Sequence, residues 1–405
     1  MKKIDFGRMD IGTREALADL MSIYGDGFYK WMAELWDPVT GGFYYSESAR
    51  DTEGFLPDIE TVGQVLAALK NHGLFEAYGH DTVKALPTEM QKKILAFTDS
   101  LQDPDGFFYH PQWGKKIPLM RRGRDLSWAK GVYSLLGGKP PYPTADEQMS
   151  DGKSKEVAPH LRSKEAFLDY LYNRHDRKRF FNHLNHELSA QHYEIKSAGL
   201  MPTLFEFLEK EQDPNTGLWG EGVNYNALTA LMKGMLIYTE EKRPFRYVEQ
   251  AVDSAIEVMI TDDEPRRIVD ITNPSNALIN ILNMQRKLHG EEAAERLRER
   301  VAARGAEICR SAKEKLLPYI QKGDVFSFFP YEVGEVSQNV PAAVKGTAEG
   351  DVNATVIAYG NLKRIMILLG VKEPYIYGDT EYRDFLRIIS EARPAVKRPA
   401  PKNNI

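Results

Sequence analysis

Apolar residues recur at three- and four-residue spacing through most of the chain. Between Arg14 and Leu35 they fall at Leu17, Leu20, Met21, Tyr24, Phe28, Trp31 and Leu35, one stripe of a 3.6-residue period. Residues 58–74 repeat the pattern through Ile59, Val62, Val65, Leu66 and Leu69. The same period predicts helices over 88–101, 125–136, 164–172, 181–199, 201–211, 225–238, 245–260, 274–288, 291–317, 353–369 and 382–392. No segment alternates as a half-buried strand would, so the chain reads as all-α. Asn273 before Pro274 predicts a cap followed by proline at the first helical position. Gly73, Gly199, Gly290 and Gly370 stand where helices are expected to stop.

Two kinds of helix alternate. Segments 225–238, 274–288 and 353–369 are apolar nearly all round, as a helix buried on most sides must be. Segments between them, such as 291–317, are charged on one face and suit an outer layer. One turn chemistry also recurs, beginning at Asp37-Pro38, Asp103-Pro104 and Asp213-Pro214, each followed by glycine and then aromatics. Asp bonds the backbone two residues on, Pro presets φ, and Gly takes the left-handed conformation. The spacing of the copies fits units of roughly 55 residues, the size of a long helical hairpin with its loops. In this alternation and these turns the chain resembles the α/α-toroid proteins: six-hairpin glycosidases, several polysaccharide lyases, sugar epimerases and the terpenoid-cyclase/prenyltransferase group. The resemblance implies an (α/α)6 toroid over about residues 12–392, within a single domain 1–392. Residues 137–162 carry Pro140, Pro141, Pro143 and Pro159 and no helical period, so they are expected to form a mobile loop or to fold over a mouth. Residues 393–405 read as a disordered basic tail.

Composition narrows the function. A length of 405 residues with 42% hydrophobic and 27% charged residues rules out a largely disordered chain. The net charge of −5 excludes a uniformly basic nucleic-acid binder. With Cys309 alone, no intrachain disulfide and no cysteine-based zinc or iron–sulfur site can form. No apolar run spans a bilayer and the N-terminus lacks the apolar core of a signal peptide, so a cytoplasmic protein without a membrane partner is expected. No phosphate loop, nucleophile elbow or His-Glu-x-x-His pair occurs, and neither a metal nor an organic cofactor is expected.

In the implied toroid, the loops entering the inner helices meet at one mouth. They carry carboxylates, amides and aromatics, the set that suits a sugar: ring faces stack while polar groups take hydroxyls. The expected substrate is a small molecule or oligosaccharide, and the oligomeric state is open. Glu221, between Gly220 and Gly222 and after Trp219, is the leading catalytic candidate, with Asp58, Asp125 and Asp351 as the other carboxylates. Each of these three precedes a predicted helix and reads first as a cap. Tyr44, Tyr45, Arg50, Trp128, His183, Trp219, Asn224, Asn226 and Tyr331 are the candidate substrate contacts. His183 and His186 would share a helix face without a third metal ligand implied by spacing. The resulting expectation is a carbohydrate-active enzyme, a glycoside hydrolase with paired carboxylates. The alternatives are a uronate-eliminating lyase using Tyr, His and Asn, and a non-catalytic scaffold or binding toroid.

Overall fold

A computed structural model describes residues 2, 4–7, 9–151 and 157–400. It is 59% helix and 4% strand. Strand among the described residues includes two hairpins of two-residue strands, Ile320–Gln321 with Val325–Phe326 and Val336–Ser337 with Val340–Pro341. No helix of the described residues is long and apolar enough to cross a membrane.

Six helical segments pack in series. They are α1 (Ile59–Asn71), α2 (Leu119–Leu136), a π-helical segment (His183–Leu188), α3 (Tyr225–Glu240), α4 (Ile268–His289) and α5 (Val352–Leu368). Each packs against the next in chain order, and α5 packs back against α1, so the series closes on itself. Amphipathic helices flank it: Val248–Ile260 and Glu291–Ala302 lie against α4, while Ile11–Met21 packs on Gly305–Leu316 and Gly27–Glu34 on Asp379–Glu391. Their apolar faces and the nearly all-apolar α3 and α5 form one continuous core.

The three Asp-Pro turns share one hydrogen-bond pattern, the second being one residue shorter than the others. The backbone N–H of Asp37, Asp103 and Asp213 donates to the carbonyl of Gly42, Phe107 and Leu218, and the glycine N–H returns to the Asp carbonyl at 2.8–2.9 Å. In each the Asp carboxylate accepts the N–H two residues on. The aromatics that follow, Phe43, Phe107, Phe108 and Trp219, are buried.

Several expectations are corrected. Helix α4 starts at Ile268 rather than at Pro274, so Pro274 is interior and Asn273 is no cap. Proline there removes one helical hydrogen bond, at a cost of about 3 kcal/mol. Buried bonds bind the same turn to its neighbours: Asn273 Nδ2 donates to Thr229 Oγ1 at 3.0 Å and Ser275 Oγ to Asn361 Oδ1 at 2.6 Å. Asp125 is no cap either, because α2 begins at Leu119, directly after Pro118. Segment 291–317 is two helices, Glu291–Ala302 and Gly305–Leu316. The stretch 137–162 contains the helix Ala145–Ser150, started by Thr144 N–H donating to Glu147 at 2.7 Å, and this helix packs on His192–Ser197. Residues 152–156 lie outside the described residues. The start of the tail is docked: Arg398 N–H donates to the Asp51 carbonyl at 2.7 Å, and the Arg398 carbonyl accepts from Glu53 N–H at 2.8 Å. Lys397 Nζ lies 4.6 Å from the centre of the Tyr44 ring. Residues 401–405 of the expected disordered tail lie outside the described residues.

Candidate functional site

The series of helices brings two of the candidate carboxylates together, around a cation. Arg121, on α2, has no solvent exposure. Its Nη2 lies 2.8 Å from Asp125 and 3.3 Å from Asp58, and its Nη1 lies 3.3 Å from Glu60. The Trp113 ring covers the guanidinium at 4.4 Å. Asp58 keeps the capping duty read from sequence, accepting from Thr61 N–H at 3.0 Å and Thr61 Oγ1 at 2.7 Å. Burial, opposed by Arg121, pushes the Asp125 carboxyl up to about 7. Burial also acts to raise Glu60, but Arg124 and Arg121 outweigh it and hold Glu60 below the usual carboxylate range. Asp351 sits elsewhere, capping α5. It accepts from the backbone N–H of Ala354, Phe328 and Gly334 and from Tyr45 Oη, and burial still lifts it to about 6.

The remaining candidates scatter. Glu221 is exposed on its loop. Trp219 is fully buried, with its indole N–H donating to the Leu208 carbonyl at 2.7 Å. Its ring presses on α3 at Gly234, where a Cβ would come within 2.3 Å. Asn224 caps α3 through the N–H groups of Asn226 and Ala227, both at 3.0 Å. Exposed Asn226 accepts from Arg267 at 3.3 Å. Arg50 pairs with Asp51 at 2.7 Å, Tyr44 is buried beneath Lys397, and Tyr331 is 68% exposed on a turn. His183 is buried and turned to Glu187 at 2.7 Å.

Tyr45 and Trp128 do line a cavity of about 850 Å³ among the packed helices. Trp128 reaches it because α1 has Gly63 beneath the ring, where any Cβ would come within 2.4 Å. The π-helical segment, in which Ser189 N–H reaches back five residues to the Leu184 carbonyl, places His186 and Asn185 in the wall. Helix α4 supplies Asn273, Asn276 and Asn280 at helical spacing along one face. The Val336–Pro341 hairpin closes another side: its turn residues Gln338 and Asn339, both at positive φ, line the cavity.

The charge of this wall is one-sided. Arg124, Lys233 and Arg267 line it, and Glu240 is the single carboxylate among the described lining residues. Arg124 is held by Glu60 and Arg267 by Asp270 at 2.7 Å. Burial first, and then Arg124, pull the Lys233 ammonium down to about 7. Burial and Lys233 lower His186, whose Nδ1 faces Met120 Sδ. Burial raises the Tyr193 phenol, which therefore stays protonated. Lys233 and Arg267 were not singled out from sequence. The signal for Lys233 was present, one lysine within an otherwise apolar helix. The chain matches no family model, no curated protein and no solved structure.

Proposed function

We propose that the chain is an (α/α)6 toroid whose central cavity binds an acidic sugar and cleaves its glycosidic link by elimination. This is the lyase reading of a carbohydrate-active enzyme. The closed packing of six segments, flanked by amphipathic helices, supports the toroid. The observation that carries the function is the composition of the cavity wall: cations, amides and aromatics with almost no carboxylate. Hydrolysis needs two carboxyl groups facing each other at about 5–9.5 Å across the scissile bond. Asp58 and Asp125 are spent on Arg121, Asp351 on helix capping, and none of the three lines the cavity. Elimination needs different groups: a cation or amide to hold the uronate carboxylate as its α-proton leaves, a base, and an acid for the leaving oxygen. Arg124 and the asparagines of α4 suit the first role and Tyr193 suits the last. Trp128 gives the sugar ring a face to stack on.

The test is incubation with uronate-containing and neutral oligosaccharides. The expected product is an unsaturated uronate, read by its ultraviolet absorbance, with calorimetric binding of the acidic oligomers that weakens in salt. Equal binding of neutral oligomers, or new reducing ends without unsaturation, would remove the lyase reading in favour of hydrolysis. No binding of either class would favour the scaffold.

A further inference from the structure

We infer that Lys233 is the base that removes the α-proton, an assignment that rests on the elimination reading of the cavity. Of the three cations in the wall, two have a carboxylate: Arg124 has Glu60 and Arg267 has Asp270. No carboxylate lies within ion-pair distance of Lys233 among the described residues. Glu60 is the acid whose field reaches it, and Glu60 is already engaged by Arg124, Arg121, Gln64 and Ser337.

The surroundings oppose a charged amine. Lys233 emerges from the middle of α3, between the apolar neighbours Met232 and Gly234. The charged or titratable groups that line the cavity or act on Lys233 are Arg124 from α2, Glu60 from α1, His186 from the π-helical segment, His192 and Tyr193 from the helix after it, Arg267 from α4, Tyr45, and Glu240 at the exposed end of α3 itself. Both arginines in that set are paired with carboxylates, and Glu240 is turned to His192, so Lys233 is left without an ion-pair partner. A lysine desolvated beside another cation is the usual route to an amine that is basic yet uncharged near neutral pH. A free amine near pH 7 is what proton abstraction requires. His186 is the competing base, but its Nδ1 is against Met120 Sδ and burial lowers its basicity.

The step balances. The Lys233 lone pair forms an N–H bond as the C–H bond α to the uronate carboxylate breaks. The electron pair forms the new C=C bond while the C–O bond to the leaving sugar breaks, and Tyr193 supplies the proton to that oxygen. Lys233 ammonium then loses its proton to water, and water reprotonates Tyr193.

Two measurements on the full chain decide the assignment. The first is competitive acylation of lysines across pH, followed by mass spectrometry of the peptide containing Lys233, which needs no substrate. Lys233 is expected to gain reactivity through about pH 7, well below the surface lysines. The second is turnover and calorimetric binding of uronate oligosaccharides by Lys233→Met and Lys233→Arg. Both are expected to lose at least about 10²-fold in kcat and to bind within a few-fold of wild type. Arginine does not rescue, because it stays protonated. In the wild type, kcat/KM is expected to rise with pH along the same curve as the labelling. Reactivity only in the ordinary lysine range, or wild-type kcat in Lys233→Met, overturns the assignment. Low-pH labelling with no uronate binding or turnover overturns the elimination reading instead, and the proton-transfer role with it, leaving a free amine in the cavity.

Discussion

Arg121 and Lys233 are both cations held among the same packed helices, and they have opposite surroundings. Arg121 lies behind the cavity wall with Asp58, Glu60 and Asp125 around it and Trp113 across its face. Lys233 lies on the wall with no acid of its own. A guanidinium presents a rigid fork that takes several carboxylates at once and stays charged, which suits a buried structural hub. An ammonium is a compact charge that gives up its proton when desolvated, which suits chemistry. Carboxylates near one another in a sequence-derived site can therefore mark the hub, while the reactive position is marked by a missing partner.

The largest effect expected is at the hub. Arg121→Met leaves Asp58 and Asp125 buried without their cation and Glu60 with Arg124 alone, and breaking a buried ion pair from one side costs about 3–5 kcal/mol. Urea denaturation should show this loss at pH 8 and a smaller one at pH 5, where the stranded carboxylates can take up protons. A loss below about 1 kcal/mol would reduce the hub to the level of a surface pair and dissolve the contrast.

Asp125→Asn sharpens it. The folded Asp125 titrates at about 7, above its ordinary 3.8. Its contribution to stability is thus fully present below about pH 4 and is lost as pH rises through 7, since the folded state binds the extra proton over that window. Asp351 and Glu194 titrate in the same direction, so the informative quantity is the difference between variant and wild type. The variant should lack a decline on the order of 1–3 kcal/mol between those pH values. Parallel curves would mean that Asp125 is ionised throughout.

Lys233→Met tests the other side. Here the folded value, about 7, lies below the ordinary 10.5. The amine's contribution is present above the ordinary value and lost as pH falls through 7. Replacing a half-buried, unpaired charge with an apolar side chain should stabilise the fold by about 1–3 kcal/mol at pH 6. That gain should shrink as pH rises toward 10.5, and a variant melting below wild type at pH 6 would show that the ammonium is well accommodated.

Much of the fold was legible because periodicity reports burial directly. The helices 88–101, 201–211 and 353–369 fall within a residue or so of those observed. The Asp-Pro turns keep the hydrogen bonds that their residue types dictate. The misplaced starts of α2 and α4 have one cause: local signals were read as boundaries where tertiary packing decides. Pro274 is tolerated inside α4 because its neighbours bond across to α3 and α5. The site was harder to read. Asp58 and Asp351 stand at helix entries and Asp125 lies inside α2, and no sequence spacing tells a carboxylate facing a cavity from one facing a buried arginine. Lys233 left a signal of the opposite kind, a polar residue where the apolar pattern leaves no room for one.

The smallest effect is expected at Glu221. Its flanking glycines both take positive φ, 106° at Gly220 and 73° at Gly222, so the loop depends on glycine on either side of the glutamate and not on the glutamate itself. The backbone carbonyl of Glu221, and not its carboxylate, takes the hydrogen bond from Asn224 at 2.8 Å. Trp219, two residues before it, faces away from solvent into the core. Glu221→Gln preserves all three features, so stability should stay within about 0.5 kcal/mol of wild type. Turnover of any uronate substrate should also be unchanged, because Glu221 does not line the cavity. A hundredfold fall in kcat with normal melting would break the comparison at its root. It would place the reactive carboxylate on the exposed loop and move the active site away from Lys233.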